Sequence, residues 1–140
     1  MKVLVIDAQG GGIGKQLVTA IKQNVSDVSV IAVGTNTAAT TAMLKAGADE
    51  AATGENSVIV GCRRADIIVG PIGIVIADSM LGEVTPKMAL AVAQSNAKRI
   101  LIPFNHCDNI IAGISDFSTG ALIQSAVDEI KKSQTESRPS

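Results

Sequence analysis

The stretch "VLVIDAQGGGIGKQLV", residues 3–18, decides the fold. Val3-Leu4-Val5-Ile6 is a short run of strand-forming residues that stops at Asp7. Four glycines then fall in five positions, Gly10, Gly11, Gly12 and Gly14. Beyond them Ile13, Leu17, Val18, Ala20 and Ile21 recur at helical spacing. A strand that enters a helix through a glycine turn is the first half of a β-α-β unit, in which the helix crosses over to a parallel neighbour.

The same alternation continues outward. Val28 to Val33 reads as a strand, followed by a helix through Met43 and Leu44 that Gly47 stops. Glu50 to Thr53 fits a short strand. Val58, Ile59, Cys62 and Ala65 fit one helix face, although Val58-Ile59-Val60 alone would equally suit a strand. Ile67-Ile68-Val69 is a strand, Thr85-Pro86 is a cap and first helical residue, and Ile100-Leu101-Ile102 ends at Pro103. A last helix from Ser118 or Thr119 buries Leu122, Ile123, Ala126, Val127 and Ile130, and Ser133 to Ser140 reads as a frayed polar tail. Asn109 to Gly113 is a candidate for one more strand. Continuous apolar strands joined by helices predict a sheet covered on both faces. The expectation is one α/β domain over residues 1–132: three layers, doubly wound, with a mainly parallel sheet of five or six strands.

Composition narrows the function classes. A formal net charge of -1 without a basic block lacks the electrostatic footprint of a nucleic-acid binder. No apolar run reaches the roughly 18 residues a spanning helix needs, and Met1 leads straight into a strand, so a cytoplasmic protein is expected, without membrane attachment. Cys62 and Cys107 are far apart and match no zinc or disulfide framework. With no Trp and no Tyr, the chain has little with which to stack a base.

In a parallel sheet the loops after the strands share one edge, where open α/β sheets bind ligands. Here that edge would carry Asp7 to Gly14, Gly34-Thr35-Asn36-Thr37, Gly54-Glu55-Asn56, Gly70-Pro71-Ile72-Gly73 and Phe104-Asn105-His106-Cys107-Asp108. Glycines admit close backbone approach, and the amides of Gly12, Ile13 and Gly14 open a helix whose dipole favours an anion. The expected site for a phosphate-bearing ligand therefore comprises Asp7, Gln9, Gly10, Gly11, Gly12, Ile13, Gly14 and Lys15. Gly34, Thr35, Asn36, Gly70, Pro71, Gly73 and Asn105 complete it.

Motif matches to this turn are partial. The dinucleotide fingerprint G-x-G-x-x-G, started at Gly10, places Lys15 at its third glycine. The looser spacing of the short-chain dehydrogenases fits Gly12 and Gly14 but meets Ala8 at its first glycine, and that family's catalytic tyrosine has no counterpart. Gly11 to Lys15 resembles a P-loop core of the ParA type, with Gln16 at the magnesium-binding hydroxyl and Gln9 at the first glycine. An NAD site usually has an acid after the second strand, where this chain has Thr35-Asn36, and no arginine stands there for the extra phosphate of NADP. Binding of NAD(P) or another nucleotide is expected, with a mononucleotide or other phosphorylated metabolite as further ligands. The alternatives are a small oxidoreductase-like or metal-assisted enzyme and a degenerate P-loop protein.

Over nearly its full length the chain resembles a short bacterial family, domain of unknown function thirty-eight forty-two. "VIDAQGGGIGKQL", "VGTN", "AGADEAATGEN", "ADIIVGPIGIVIADSMLGEVTP" and "KRILIPFNHC" carry the resemblance. It implies a small-ligand site on a Rossmann-like domain and supplies no reaction.

Four further features are candidates for chemistry or assembly. Cys107 beside His106 could pair nucleophile and base, and Asp78 with Glu83 could form a two-carboxylate site. Asp7 is placed to orient the glycine turn through its amides, whereas Cys62 reads as core and Arg63-Arg64 as a helix end. The apolar run Ile72, Ile74, Val75, Ile76 outlasts its strand; an apolar helix at the rim would need cover, which predicts a homodimer or larger assembly.

Overall fold

The structure is a computed structural model describing residues 1–103, 109–114 and 117–136. Five strands, β1 (Lys2–Asp7), β2 (Ser29–Gly34), β3 (Glu50–Thr53), β4 (Ile67–Pro71) and β5 (Lys98–Ile102), form one sheet in the order β3-β2-β1-β4-β5. Every pairing is parallel. The helices are α1 (Gly12–Asn24), α2 (Thr37–Lys45), α3 (Glu55–Arg64), α4 (Pro86–Gln94) and α5 (Thr119–Glu136). This is the doubly wound α/β architecture that the sequence predicts.

Burial explains the strand compositions. In β1 every residue after Lys2 is buried, and all five residues of β4 are, because helices cover both faces at the middle of the sheet. The edge strand β3, Glu50-Ala51-Ala52-Thr53, has no fully buried residue, which is why its apolar signal is weak. One core layer lies under α1, α2 and α5 and includes Val3, Val5, Leu17, Met43 and Val127. The other lies under α3 and α4 and includes Leu4, Ile6, Val58, Ile68 and Met88. At roughly 1.5–3 kcal/mol for each fully buried large aliphatic side chain, these two layers are the main source of stability.

Val58-Ile59-Val60 is helical, with Val58 and Cys62 buried one turn apart. Glu55 in the first turn and Arg63 and Arg64 in the last complement the dipole of α3. Thr85 caps α4 by accepting the Met88 amide at 3.1 Å, with Pro86 at the first helical position.

Three expectations are corrected. The helix α5 runs to Glu136, so residues 133–136 are not frayed: Ser133 is buried with its hydroxyl on the Glu129 carbonyl, and Gln134 donates to the Ser26 carbonyl at 2.7 Å. Residues 109–113 form no sixth strand; Asn109 makes a single bridge, and Ile110 is exposed. The apolar run after β4 is a short 3-10 helix, Ile72–Val75, whose Ile74 packs into the chain's own core with Met80, Val84 and Met88. Ile72, Val75 and Ile76 of the same run stay partly exposed.

Candidate functional site

The carboxyl ends of β1 and β2 finish level, Asp7 opposite Gly34, and the Thr35 amide donates to the Asp7 carbonyl at 3.0 Å. Connections depart to opposite faces from β1 and β4: α1 lies on one, the 3-10 helix and α4 on the other. A crevice of about 310 Å³ opens at this switch point, lined by residues 7–13, Gln16, Pro71 and Met80.

The glycines of the turn divide into two kinds. Gly11 has φ +73°, and a Cβ there would meet the Ala39 backbone at 2.8 Å. A Cβ on Gly14 would meet the Met43 sulfur at 2.6 Å and Asp7 Cβ at 2.8 Å. Internal packing explains both. Gly10 and Gly12 differ: neither has a positive φ, and a Cβ on either would find nothing within 4 Å. Among the described residues, no acceptor meets the amides of Gly12 and Ile13. They are the open donors at the start of α1.

Asp7 sits beneath the turn, 4% exposed, accepting the Gly14 amide at 2.6 Å and the Ala8 amide at 2.8 Å. Burial pushes its carboxyl above the ordinary aspartate value; the two amides pull it down, and the nearby charge of Glu83 pushes it up again. The Gly14 amide, expected to face a ligand, is thus taken by the chain's own carboxylate.

Glu83 bridges three segments through one oxygen. Its Oε1 accepts the Gln9 amide at 2.8 Å, the Thr35 hydroxyl at 2.7 Å and the Asn36 side-chain amide at 2.7 Å. Asn36 also donates to the Gln9 carbonyl at 2.9 Å and caps α2 by accepting the Ala39 amide. The Gln9 amide holds the Glu83 carboxyl below its ordinary value, helped by Thr35 and Asn36 against a smaller cost of burial. Thr35 and Asn36, both expected site residues, hold a carboxylate.

Glu83 reaches this place on a tight loop in which Asp78, Met80 and Leu81 all have φ between 55° and 63°. Non-glycine residues in this region cost about 1–3 kcal/mol each and gather where surroundings impose them. The Asp78 amide bonds to the Val84 carbonyl at 2.7 Å, and the Ser79 hydroxyl to the Gly73 carbonyl at 2.6 Å. Met80 is buried against the crevice while Leu81 is 93% exposed.

Other expected site residues fall elsewhere. Gly34 is glycine because a Cβ would strike the first turn of α2 at Thr40, and Gly70 because one would strike the Ile6 carbonyl oxygen. Gly70 belongs to β4 rather than to a loop, and Gly73 packs against Met80. Pro71 ends β4 and does line the crevice. Lys15 lies in the groove between α1 and α2 with Thr37, Thr41 and Lys45, away from the crevice, where a P-loop lysine would have to reach the phosphates. Asp78 is exposed, and the carboxylate that interacts with Glu83 is Asp7. Asn105, His106 and Cys107 lie outside the described residues. Among the described residues, no three His, Cys, Asp or Glu side chains gather to hold a metal ion.

Sequence reasoning missed Ala8, Gln16 and Met80 as crevice residues. Met80 looks like ordinary core, and only the left-handed loop around it turns it to the rim. It also missed the link from Glu83 to Gln9, which no local pattern signals because 74 positions separate them.

No helix among the described residues is long and apolar enough to cross a membrane. No curated protein is detectably similar in sequence. Among solved structures, a dodecameric FMN-dependent UbiX-like decarboxylase from Escherichia coli O157:H7 is similar at 13% identity and a TM-score of 0.43. The match covers 96% of this chain and 95% of that one. A family model matches residues 2–135, so the chain belongs to the family described as a domain of unknown function, DUF3842.

Proposed function

We propose that the chain binds a phosphate-bearing small molecule, a nucleotide or dinucleotide, in the crevice between the ends of β1 and β4. One observation carries this: Gly10 and Gly12 are glycines that the fold itself does not require, and Gly12 carries one of the two open amides, with Ile13 carrying the other. Absence of a Cβ at those two positions serves close approach from outside, and a helix start offers the positive pole.

The surroundings narrow the anion. Asp7 and Glu83 are negative neighbours, and Lys15 is turned away. Amides alone must then hold the guest. A phosphodiester or a single phosphate suits such a place better than a triphosphate, whose charge would meet both carboxylates without a counter-ion.

The test is a thermal-shift panel of NAD, NADP, FMN and ATP on the wild type and on Gly12→Ala. A ligand at a hundred times its dissociation constant adds about 2.7 kcal/mol to the folded state. Gly12→Ala is expected to leave the ligand-free melting temperature unchanged or slightly higher, since its φ is ordinary. It should abolish most of the ligand's shift. If no compound stabilises the wild type, or Gly12→Ala responds like the wild type, the proposal fails.

A further inference from the structure

We infer that loop 78–83 of one copy docks in the groove between α3 and α4 of a second copy, with Leu81 as its apolar anchor. The inference concerns assembly and stands apart from the phosphate-binding reading.

The groove is the receiving side. α3 packs on α4, and together they leave a depression of about 450 Å³. Ile59, Leu90 and Ala91 give it apolar walls, and Leu90 is exposed. Among the described residues, the charged side chains that line it are Arg63 and Lys87, and neither meets a carboxylate. Lys87 also stands in the first turn of α4, where the helix dipole disfavours a cation. The fold of a single chain thus leaves both charges without a counter-ion.

The loop has the opposite charge. Leu81 is the most exposed large apolar side chain among the described residues. It stands between Asp78 and Glu83, and residues 72–84 contain no cation. No ion pair or hydrogen bond engages the Asp78 carboxylate among the described residues. An apolar tip between two carboxylates therefore matches an apolar groove lined by two cations, and such complementarity selects the partner and its register.

The loop is ordered before it docks. The Asp78 amide donates to the Val84 carbonyl at 2.7 Å, the Glu83 amide to the Met80 carbonyl at 3.2 Å, and Met80 is buried next to Leu81. Little conformational entropy remains to be lost on binding. The chain does not fill its own groove, since no residue of the loop lines it. Met80 and Val84 pack into the same core layer as α3 and α4, so loop and groove lie on one side of the sheet. Two copies related by a twofold axis can then exchange loops, which makes every contact twice.

The experiment is sedimentation velocity of the full chain, from the micromolar to the millimolar range at low salt, on the wild type, Leu81→Asn and Lys87→Glu. The wild type should form a dimer as concentration rises. Leu81→Asn removes the anchor, yet asparagine favours the left-handed conformation that Leu81 adopts at φ +59°, so the monomer keeps its fold. Lys87→Glu reverses a groove charge, and it suits the first turn of α4 better than lysine does. Both variants should melt no lower than the wild type at a dilution where all are monomeric. Each should nonetheless weaken the dimer by about tenfold or more, the scale of losing a central interface contact. A role confined to the monomer's own stability would leave association unchanged. A wild type that stays monomeric throughout overturns the inference, whether the groove is empty or takes an acidic segment of another protein. So does a dimer that either folded variant forms as tightly as the wild type.

Discussion

The Glu83 carboxylate accepts the Thr35 hydroxyl at 2.7 Å, tying the loop beyond β4 to the end of β2. Thr35→Val keeps the shape and removes this donor. It is expected to lower stability by about 1 kcal/mol, the low end for a hydrogen bond to a charged group because Glu83 is partly exposed. The Glu83 carboxyl should then titrate at higher pH, closer to its ordinary value, in a carbon-detected NMR titration. An unchanged titration would mean that the contact does not form in solution.

Asp7 and Glu83 respond to acid in opposite senses. Asp7 is raised in the folded state, so its contribution is full below its ordinary value of 3.8 and is lost as pH rises through the folded value. Glu83 is lowered, so its contribution is present above 4.5 and is lost as pH falls through the folded value. Melting curves across pH should therefore show Asp7→Asn gaining on the wild type as pH rises above 3.8, and Glu83→Gln gaining on it as pH falls below 4.5. Parallel curves for either variant would contradict its shift.

Two alanine substitutions in the same turn should differ sharply. Gly14→Ala drives a methyl into Met43 and Asp7, and overpacking of this kind costs about 1–3 kcal/mol. Gly10→Ala meets open space and should fall within about 0.5 kcal/mol of the wild type. Urea denaturation of both proteins compares them directly; equal midpoints would refute the sorting of these glycines.

Cys62 should be inert. It is 4% exposed, and burial pushes its thiol up to about 11. Iodoacetamide at neutral pH, followed by peptide mass mapping, should leave Cys62 unmodified in the native protein and alkylate it in denaturant. Rapid native labelling would show that the α3 face opens.

Much of the architecture was legible because its strands are buried on both faces. Val3 to Ile6 and Ile67 to Val69 read as strands without any alternation to interpret. The glycine turn was equally plain as a turn. What stayed hidden was the division of labour within it, since φ and Cβ neighbours separate Gly11 and Gly14 from Gly10 and Gly12 only in three dimensions. Gly70 and Gly34 looked like loop glycines, yet neighbouring backbone crowds them, a tertiary cause with no local sequence mark. Glu83 could be suspected as a carboxylate, but its partners come from the ends of β1 and β2, and composition gives no sign of such a meeting.

The strand order has a consequence for how the chain matures. Val3 pairs with Val30 early in the sequence, but its other edge must wait for Ile67. During synthesis the strand that will end in Asp7 therefore stands with one unpaired side until roughly half the polypeptide has emerged, a period in which it is open to wrong partners. Chains cut short before Ile67 should be insoluble, and the rim that receives a ligand comes into being only when this late neighbour docks.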